Sequence, residues 1–151
     1  MDLRLPPMLL AALLGLLAWG VDAGAPVQDF RGLPAQGLLA ATLAGAGAGV
    51  MLAGALALRL AQTTLDPRYP LRATRLVAGG IYRFTRNPIY LGALAVLAGW
   101  VVYLGQPLGL AILPFWVWYI TRFQIRPEES AMRERFGAAW VVYCARVRRW
   151  L

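Results

Sequence analysis

Apolar residues fill four stretches of the chain, near Leu5–Val21, Gln36–Leu58, Pro88–Leu104 and Pro107–Thr121, and none of the four carries a charged residue. A hydrocarbon core about 30 Å thick takes roughly 20 helical residues to cross. The pattern therefore predicts four membrane-crossing helices. After the fourth, Met132, Phe136, Trp140, Tyr143 and Val147 recur at spacings of 4, 4, 3 and 4. That is one apolar helical stripe, with Arg133, Arg135, Arg146 and Arg148 mostly off it, as in an interfacial helix resting on anionic lipid and broken, if anywhere, at Gly137. Gly45, Gly47, Gly49 and Gly54 in the second stretch imitate a nucleotide-binding loop, but no strand precedes them and no acid follows at the required distance. Small residues so spaced let membrane helices approach closely. No repeat or low-complexity linker divides the chain, so residues 1–151 form a single domain.

Composition sharpens this picture. The 151 residues are 60% apolar and 15% charged, where a water-soluble domain is nearer half apolar and a quarter charged. There is no histidine, which excludes a Ser-His-Asp triad, a histidine-ligated zinc and an imidazole base. A single cysteine, Cys144, excludes an intrachain disulfide and a thiolate cluster. All fifteen basic residues are arginine, and with seven acids the net charge is +8. Arg59, Arg68, Arg72, Arg75, Arg83 and Arg86 lie between the second and third apolar stretches, and Arg122, Arg126, Arg133, Arg135, Arg146, Arg148 and Arg149 follow the fourth. Such placement reads as topology rather than nucleic-acid binding, and by the positive-inside rule both blocks and both termini are cytoplasmic. The expected fold is an all-α polytopic membrane protein with about four transmembrane helices and a cytoplasmic C-terminal amphipathic helix or helices. The first stretch has a rival reading as a signal peptide, with Arg4 ahead of it and Ala23-Gly24-Ala25 as a cleavage site; the even number of crossings favours a retained span.

Gly105-Gln106-Pro107 signals a turn too short for anything but an antiparallel helix pair. Pro88 lies eighteen residues before Gln106 and Gln124 eighteen after it, which puts both about 27 Å from the turn, at the far face of the bilayer. Residues 80–90 and 122–129 are thus expected to be neighbours. Pro114 is expected to loosen the fourth helix.

Gly80-Ile81-Tyr82-Arg83-Phe84-Thr85-Arg86-Asn87-Pro88-Ile89-Tyr90-Leu91-Gly92 and Arg122-Phe123-Gln124-Ile125-Arg126-Pro127-Glu128-Glu129 each have a structural explanation. Asn87-Pro88 makes a good helix start, Arg83 and Arg86 suit the interface, and Glu128 and Glu129 favour a helix N-terminus, with Glu129 in reach of Arg133. Their combination says more. Two of the chain's three glutamates are brought beside an arginine- and tyrosine-rich segment where a water-soluble ligand meets a lipid-phase one. Carboxylates for ammonium and hydroxyl groups, guanidinium for a carboxylate and aromatic faces for a cation or base answer the needs of S-adenosylmethionine.

From Thr63-Thr64, Pro67 and Leu76-Val77 through Gly80–Gly92 to Glu128-Glu129, Phe136-Gly137, Trp140, Tyr143 and Arg148, about the last 90 residues resemble the isoprenylcysteine carboxyl methyltransferase family, whose wider circle includes phospholipid N-methyltransferases. The family's Arg-His-Pro-x-Tyr core and paired glutamates have counterparts in Arg86-Asn87-Pro88-Ile89-Tyr90 and Glu128-Glu129. Asn87 departs from the eukaryotic pattern, and an amide does not titrate near neutral pH, which leaves that position a positioning role. Residues 1–60 are the less diagnostic spans and residues 61–151 the family-like cofactor-binding region. The resemblance implies an integral enzyme of a bacterial inner membrane that uses S-adenosylmethionine, releases S-adenosylhomocysteine, and takes its acceptor from the bilayer.

Methyl transfer from a sulfonium is an in-line displacement needing no metal, and alignment alone contributes on the order of 7–11 kcal/mol. Gly80, Tyr82, Asn87, Pro88 and Tyr90 are expected around the adenosyl and methionyl parts of the cofactor, with Glu128 and Glu129 at its amino, ribose or adenine groups. Arg126, with Arg86 second, is expected to orient an acceptor carboxylate. For an amine acceptor, Glu129 would take the proton. Arg146, Arg148 and Arg149 read as lipid anchors. The expected partners are membrane lipid and a lipid-like or small hydrophobic acceptor, with neither nucleic acid nor metal. The acceptor is an isoprenylcysteine-like carboxylate or, alternatively, a phospholipid amine; the competing class is a non-enzymatic helical membrane subunit.

Overall fold

The computed structural model describes residues 5–24, 34–63, 74–105 and 107–151. Arg4, the first connection with Asp29 and Arg31, the stretch holding Pro67, Arg68 and Arg72, and Gln106 lie outside the described residues. The described residues form six α-helices: α1 (Pro7–Gly24), α2 (Gln36–Leu60), α3 (Pro88–Leu104), α4 (Ile112–Ile120), α5 (Arg126–Phe136) and α6 (Ala138–Arg146). There is no strand among the described residues, so the all-α expectation holds. Of these helices α2, with 25 residues, is long and apolar enough to cross a membrane by itself; the apolar parts of α1 (Pro7–Val21) and α3 are shorter.

The α2–α3 seam is built on small residues. A Cβ on Gly47 would lie 2.6 Å from the Gly92 carbonyl oxygen, and one on Gly99 2.7 Å from that of Ala40, so the two backbones touch where any larger residue would force them apart. Gly54 meets the Pro88 ring in the same way. Gly45 and Gly49 face open space, so only part of the glycine run serves helix packing. Pro88 occupies the first turn of α3, where its missing N–H costs no hydrogen bond. The helix stops at Gly105, whose φ of 70° suits glycine and whose N–H reaches the carbonyls of Val101 and Val102.

Leu10, Leu14 and Ala18 of α1 join Leu97, Val101, Ile112, Trp116 and Ile120 in the main core, and the Trp100 Nε1–H donates to the Gly15 carbonyl at 3.0 Å. The first helix is therefore an integral part of the bundle. Leu9, Leu13, Leu16 and Trp19 of α1 and Leu38, Leu52 and Leu56 of α2 face outward, an apolar exterior larger than a water-facing surface normally carries.

The fourth apolar stretch is a composite rod. A 3-10 turn at Pro107–Ala111 leads into α4, a π-helical turn follows at Thr121–Ile125, and α5 continues from it. Pro114 does not disturb this rod, because it falls in the first turn of α4 among donors that lack intrahelical partners anyway. The irregularity sits ahead of Pro127. In α spacing the Pro127 ring would crowd the carbonyl of Phe123; the wider π turn, in which the Arg126 N–H reaches back to the Thr121 carbonyl, avoids that collision. At Gly137, φ 51° and ψ −123° end α5 and begin α6, a conformation open to glycine and costly for other residues. The apolar stripe survives this break, since Trp140, Tyr143 and Val147 are buried together with Met132, Phe136, Cys144 and Leu76 packed against them.

Candidate active site

The hairpin and the π turn carry the head of α5 to the head of α3. The Tyr90 hydroxyl donates to Glu128 Oε1 at 2.5 Å, and Arg86 Nη2 stands 3.1 Å from Glu129 Oε1. The two segments expected to be neighbours are in contact through these side chains.

The chain's own C-terminus closes the arrangement. After α6 the backbone turns extended and crosses residues 85–87: the Arg86 N–H donates to the Arg148 carbonyl at 3.0 Å, and the Thr85 hydroxyl and Asn87 Nδ2 donate to the Arg149 carbonyl at 3.3 and 2.9 Å. Trp150 Nε1 donates to the Thr121 hydroxyl at 3.2 Å, and the Tyr143 hydroxyl donates to the Tyr82 carbonyl at 2.7 Å. From this position Arg149 grips Glu129 with a fork, Nε on Oε1 at 3.0 Å and Nη2 on Oε2 at 2.6 Å.

Three expectations change here. Asn87 stands at the N-cap position of α3 but makes no side-chain cap; its amide is drawn off by the tail carbonyl, while its N–H is met by the Thr85 hydroxyl. Glu129 pairs with Arg86 and Arg149, and Arg133 is exposed. Arg149 is therefore no lipid anchor: its guanidinium is committed to a carboxylate inside the site. Nothing in its local sequence separates Arg149 from Arg148 and Arg146; only the path of the tail does.

The two glutamates differ electrostatically. Burial raises Glu128 to about 7, with the Tyr90 hydrogen bond acting in the opposite sense and the neighbouring Glu129 adding to the rise. Glu129 has two guanidinium groups against it. Tyr82 is buried, and its hydroxyl is pushed up chiefly by that burial, then by Tyr143 and Glu128. Burial likewise takes Tyr143 up to about 12 against the lowering effect of Arg86. The hydrogen bond to Glu129 holds Arg149 above its ordinary value, against its own partial burial.

Arg86 is the hub of this site. Besides Glu129 it donates from Nη1 to the Cys144 sulfur and lies over the Trp140 ring, 5.9 Å from its centroid, while its Nε is buried without a partner among the described residues. Pro88 is fully buried under α2, and Gly80, with φ 58°, opens the short 3-10 turn Gly80–Arg83 that delivers Tyr82. Arg126 is exposed at the head of α5, and its guanidinium pairs with no acid among the described residues. Of the residues nominated from the sequence, then, Tyr82, Arg86, Asn87, Pro88, Tyr90, Glu128 and Glu129 converge, whereas Gly80 and Arg126 stand at the margin.

Residues 35–139 match the model of a family described as phospholipid methyltransferase. An uncharacterized protein of Haemophilus influenzae is 35% identical over 63 residues, 42% of this chain and the whole of that one. The protein-S-isoprenylcysteine O-methyltransferase of Saccharomyces cerevisiae is 37% identical over 68 residues, 45% of this chain and 28% of the yeast protein. No solved structure matches.

Proposed function

The chain belongs to the phospholipid methyltransferase family and is a methyltransferase; from that premise we propose that it methylates a lipid-like or small hydrophobic acceptor with S-adenosylmethionine, at the cytoplasmic face of a bacterial inner membrane. The observation that carries this reading is the convergence of Tyr90–Glu128 and Arg86–Glu129–Arg149 at the polar end of an apolar helix bundle. In this reading α1, α2, α3 and the Pro107–Ile125 rod, about 28 Å long at helical rise, cross the bilayer, and both termini are cytoplasmic.

The donor set fits the cofactor. An amino acid ammonium and ribose hydroxyls call for the carboxylates of Glu128 and Glu129, a methionyl carboxylate for guanidinium, and an adenine for aromatic and apolar walls such as Tyr82. When bound, S-adenosylmethionine supplies an electrophilic methyl group on a sulfonium sulfur. The residues of the chain then orient the acceptor and exclude water. For the favoured acceptor, an isoprenylcysteine-like carboxylate already ionised at neutral pH, the guanidinium of Arg126, which pairs with no acid among the described residues, is the orienting group, and Arg86 is second because Glu129 already engages it.

A phospholipid amine is the second reading, favoured by one observation: Glu128, raised to about 7, is poised to accept a proton near neutral pH. Glu129 is already engaged by Arg86 and Arg149. Incubation with methyl-labelled cofactor and total membrane lipid tests both. Label released by base as methanol marks an ester and supports the carboxylate; base-stable label in an amine headgroup supports the second reading. Absence of label from every lipid fraction counts against a lipid acceptor.

A further inference from the structure

A carboxylate offers about four lone-pair positions. On Glu129, Oε1 accepts from Arg149 Nε and Oε2 from Arg149 Nη2, and Arg86 Nη2 stands 3.1 Å from Oε1 as an ion pair. Oε2 accepts one hydrogen bond among the described residues and so keeps a lone-pair position open. Arg86 touches one oxygen only, so it cannot by itself stop the carboxylate from turning about its terminal torsion, which is intrinsically broad. The Arg149 fork takes both oxygens and fixes the plane. Its own backbone is fixed in turn, because the Arg149 carbonyl is held by Thr85 and Asn87 while the preceding carbonyl takes the Arg86 N–H.

We propose that Arg149 is a positioning residue of the cofactor site, holding Glu129 in the one orientation that leaves a single lone-pair position on Oε2 for an ammonium or hydroxyl of the cofactor. The inference rests on the S-adenosylmethionine reading above. It makes the last residues of the chain part of the site, although they would not touch the cofactor themselves.

Calorimetry with S-adenosylhomocysteine on the full chain in detergent tests it. The expected result is measurable binding by the wild type, a loss of about tenfold for Arg149→Gln, and no change for Arg146→Gln, whose side chain is exposed at the end of α6. Arg149→Lys restores the charge without the fork and is expected to bind nearer the glutamine variant than the wild type. Millimolar guanidinium ion is expected to recover affinity in Arg149→Ala where equal sodium chloride does not, a rescue that a purely structural tail contact would not produce. Should Arg149→Gln fail to fold, Arg149→Lys decides. Wild-type affinity in the folded glutamine or lysine variant overturns the positioning role while leaving the cofactor reading intact. A wild type that does not bind overturns the cofactor reading, and the positioning role falls with it.

Discussion

Tyr90 and Glu128, 38 residues apart in the chain, share a hydrogen bond of 2.5 Å that joins the first turn of one helix to the first turn of another. Glu128 is the acid that burial pushes up, and this bond is the main force resisting that push. Tyr90→Phe is therefore expected to move the Glu128 titration higher still. Carbon-detected NMR of labelled glutamate carboxyls in detergent checks this; an unchanged or lower midpoint in the phenylalanine variant would show that the hydroxyl does not support the charged form.

Stability should follow the same group. Glu128 titrates near 7 in the folded chain against an ordinary 4.5, so between these values the folded state keeps a proton that the unfolded chain releases. The stabilisation is complete below about pH 4.5, falls as pH rises toward 7, and is flat above; its full size is at most on the order of 3 kcal/mol. Glu128→Gln should remove this component of the pH dependence and raise the melting temperature most at pH 8. Melting curves of both proteins at pH 5 and pH 8 read it directly, and parallel curves would refute it.

Glu129 and Arg133 have separate fates. Glu129→Gln is expected to weaken S-adenosylhomocysteine binding by about tenfold or more, since the substitution leaves Arg86 and Arg149 without their shared anion. Arg133→Gln should change affinity by less than about twofold, as expected for an exposed side chain. Equal small effects in a titration of the two variants would remove Glu129 from the site.

The glycines of α2 are predicted to divide sharply. Gly47→Val must push α3 away, and is expected to cost about 1–3 kcal/mol or more, because its Cβ alone would meet the Gly92 carbonyl at 2.6 Å. Gly45→Ala and Gly49→Ala enter open space and should be neutral or slightly stabilising. Thermal unfolding in a single detergent ranks the three.

Gly137→Ala isolates backbone strain. No atom lies within 4 Å of a Cβ there, yet φ is 51°, so the expected loss of about 1–3 kcal/mol comes from conformation alone. A neutral alanine variant would mean that α5 and α6 can join at another angle without loss.

The apolar runs, the charge asymmetry and the 1.5 Å helical rise were enough to place four helical stretches and to bring residues 80–90 beside 122–129, because each follows from local periodicity and length. The same reasoning misplaced the irregularity of the last rod. Pro114 and Pro127 look alike in sequence, but one falls in a first turn with spare donors and the other follows a helical rod whose carbonyl it would crowd in α spacing, which the π turn avoids.

By itself the sequence determined the helical class, the apolar exterior and the meeting of the asparagine-proline turn with the paired acids. Only the tertiary structure decided which arginine each acid would choose. Glu129 had Arg133 one turn away, yet it is held by Arg86 and Arg149. The physical reason is burial: a pair on an exposed helix face gains a few tenths of a kcal/mol, whereas a half-buried carboxylate needs charge and hydrogen bonds from whatever the fold sets against it. Here the crossing of the C-terminal tail over residues 85–87 supplies them.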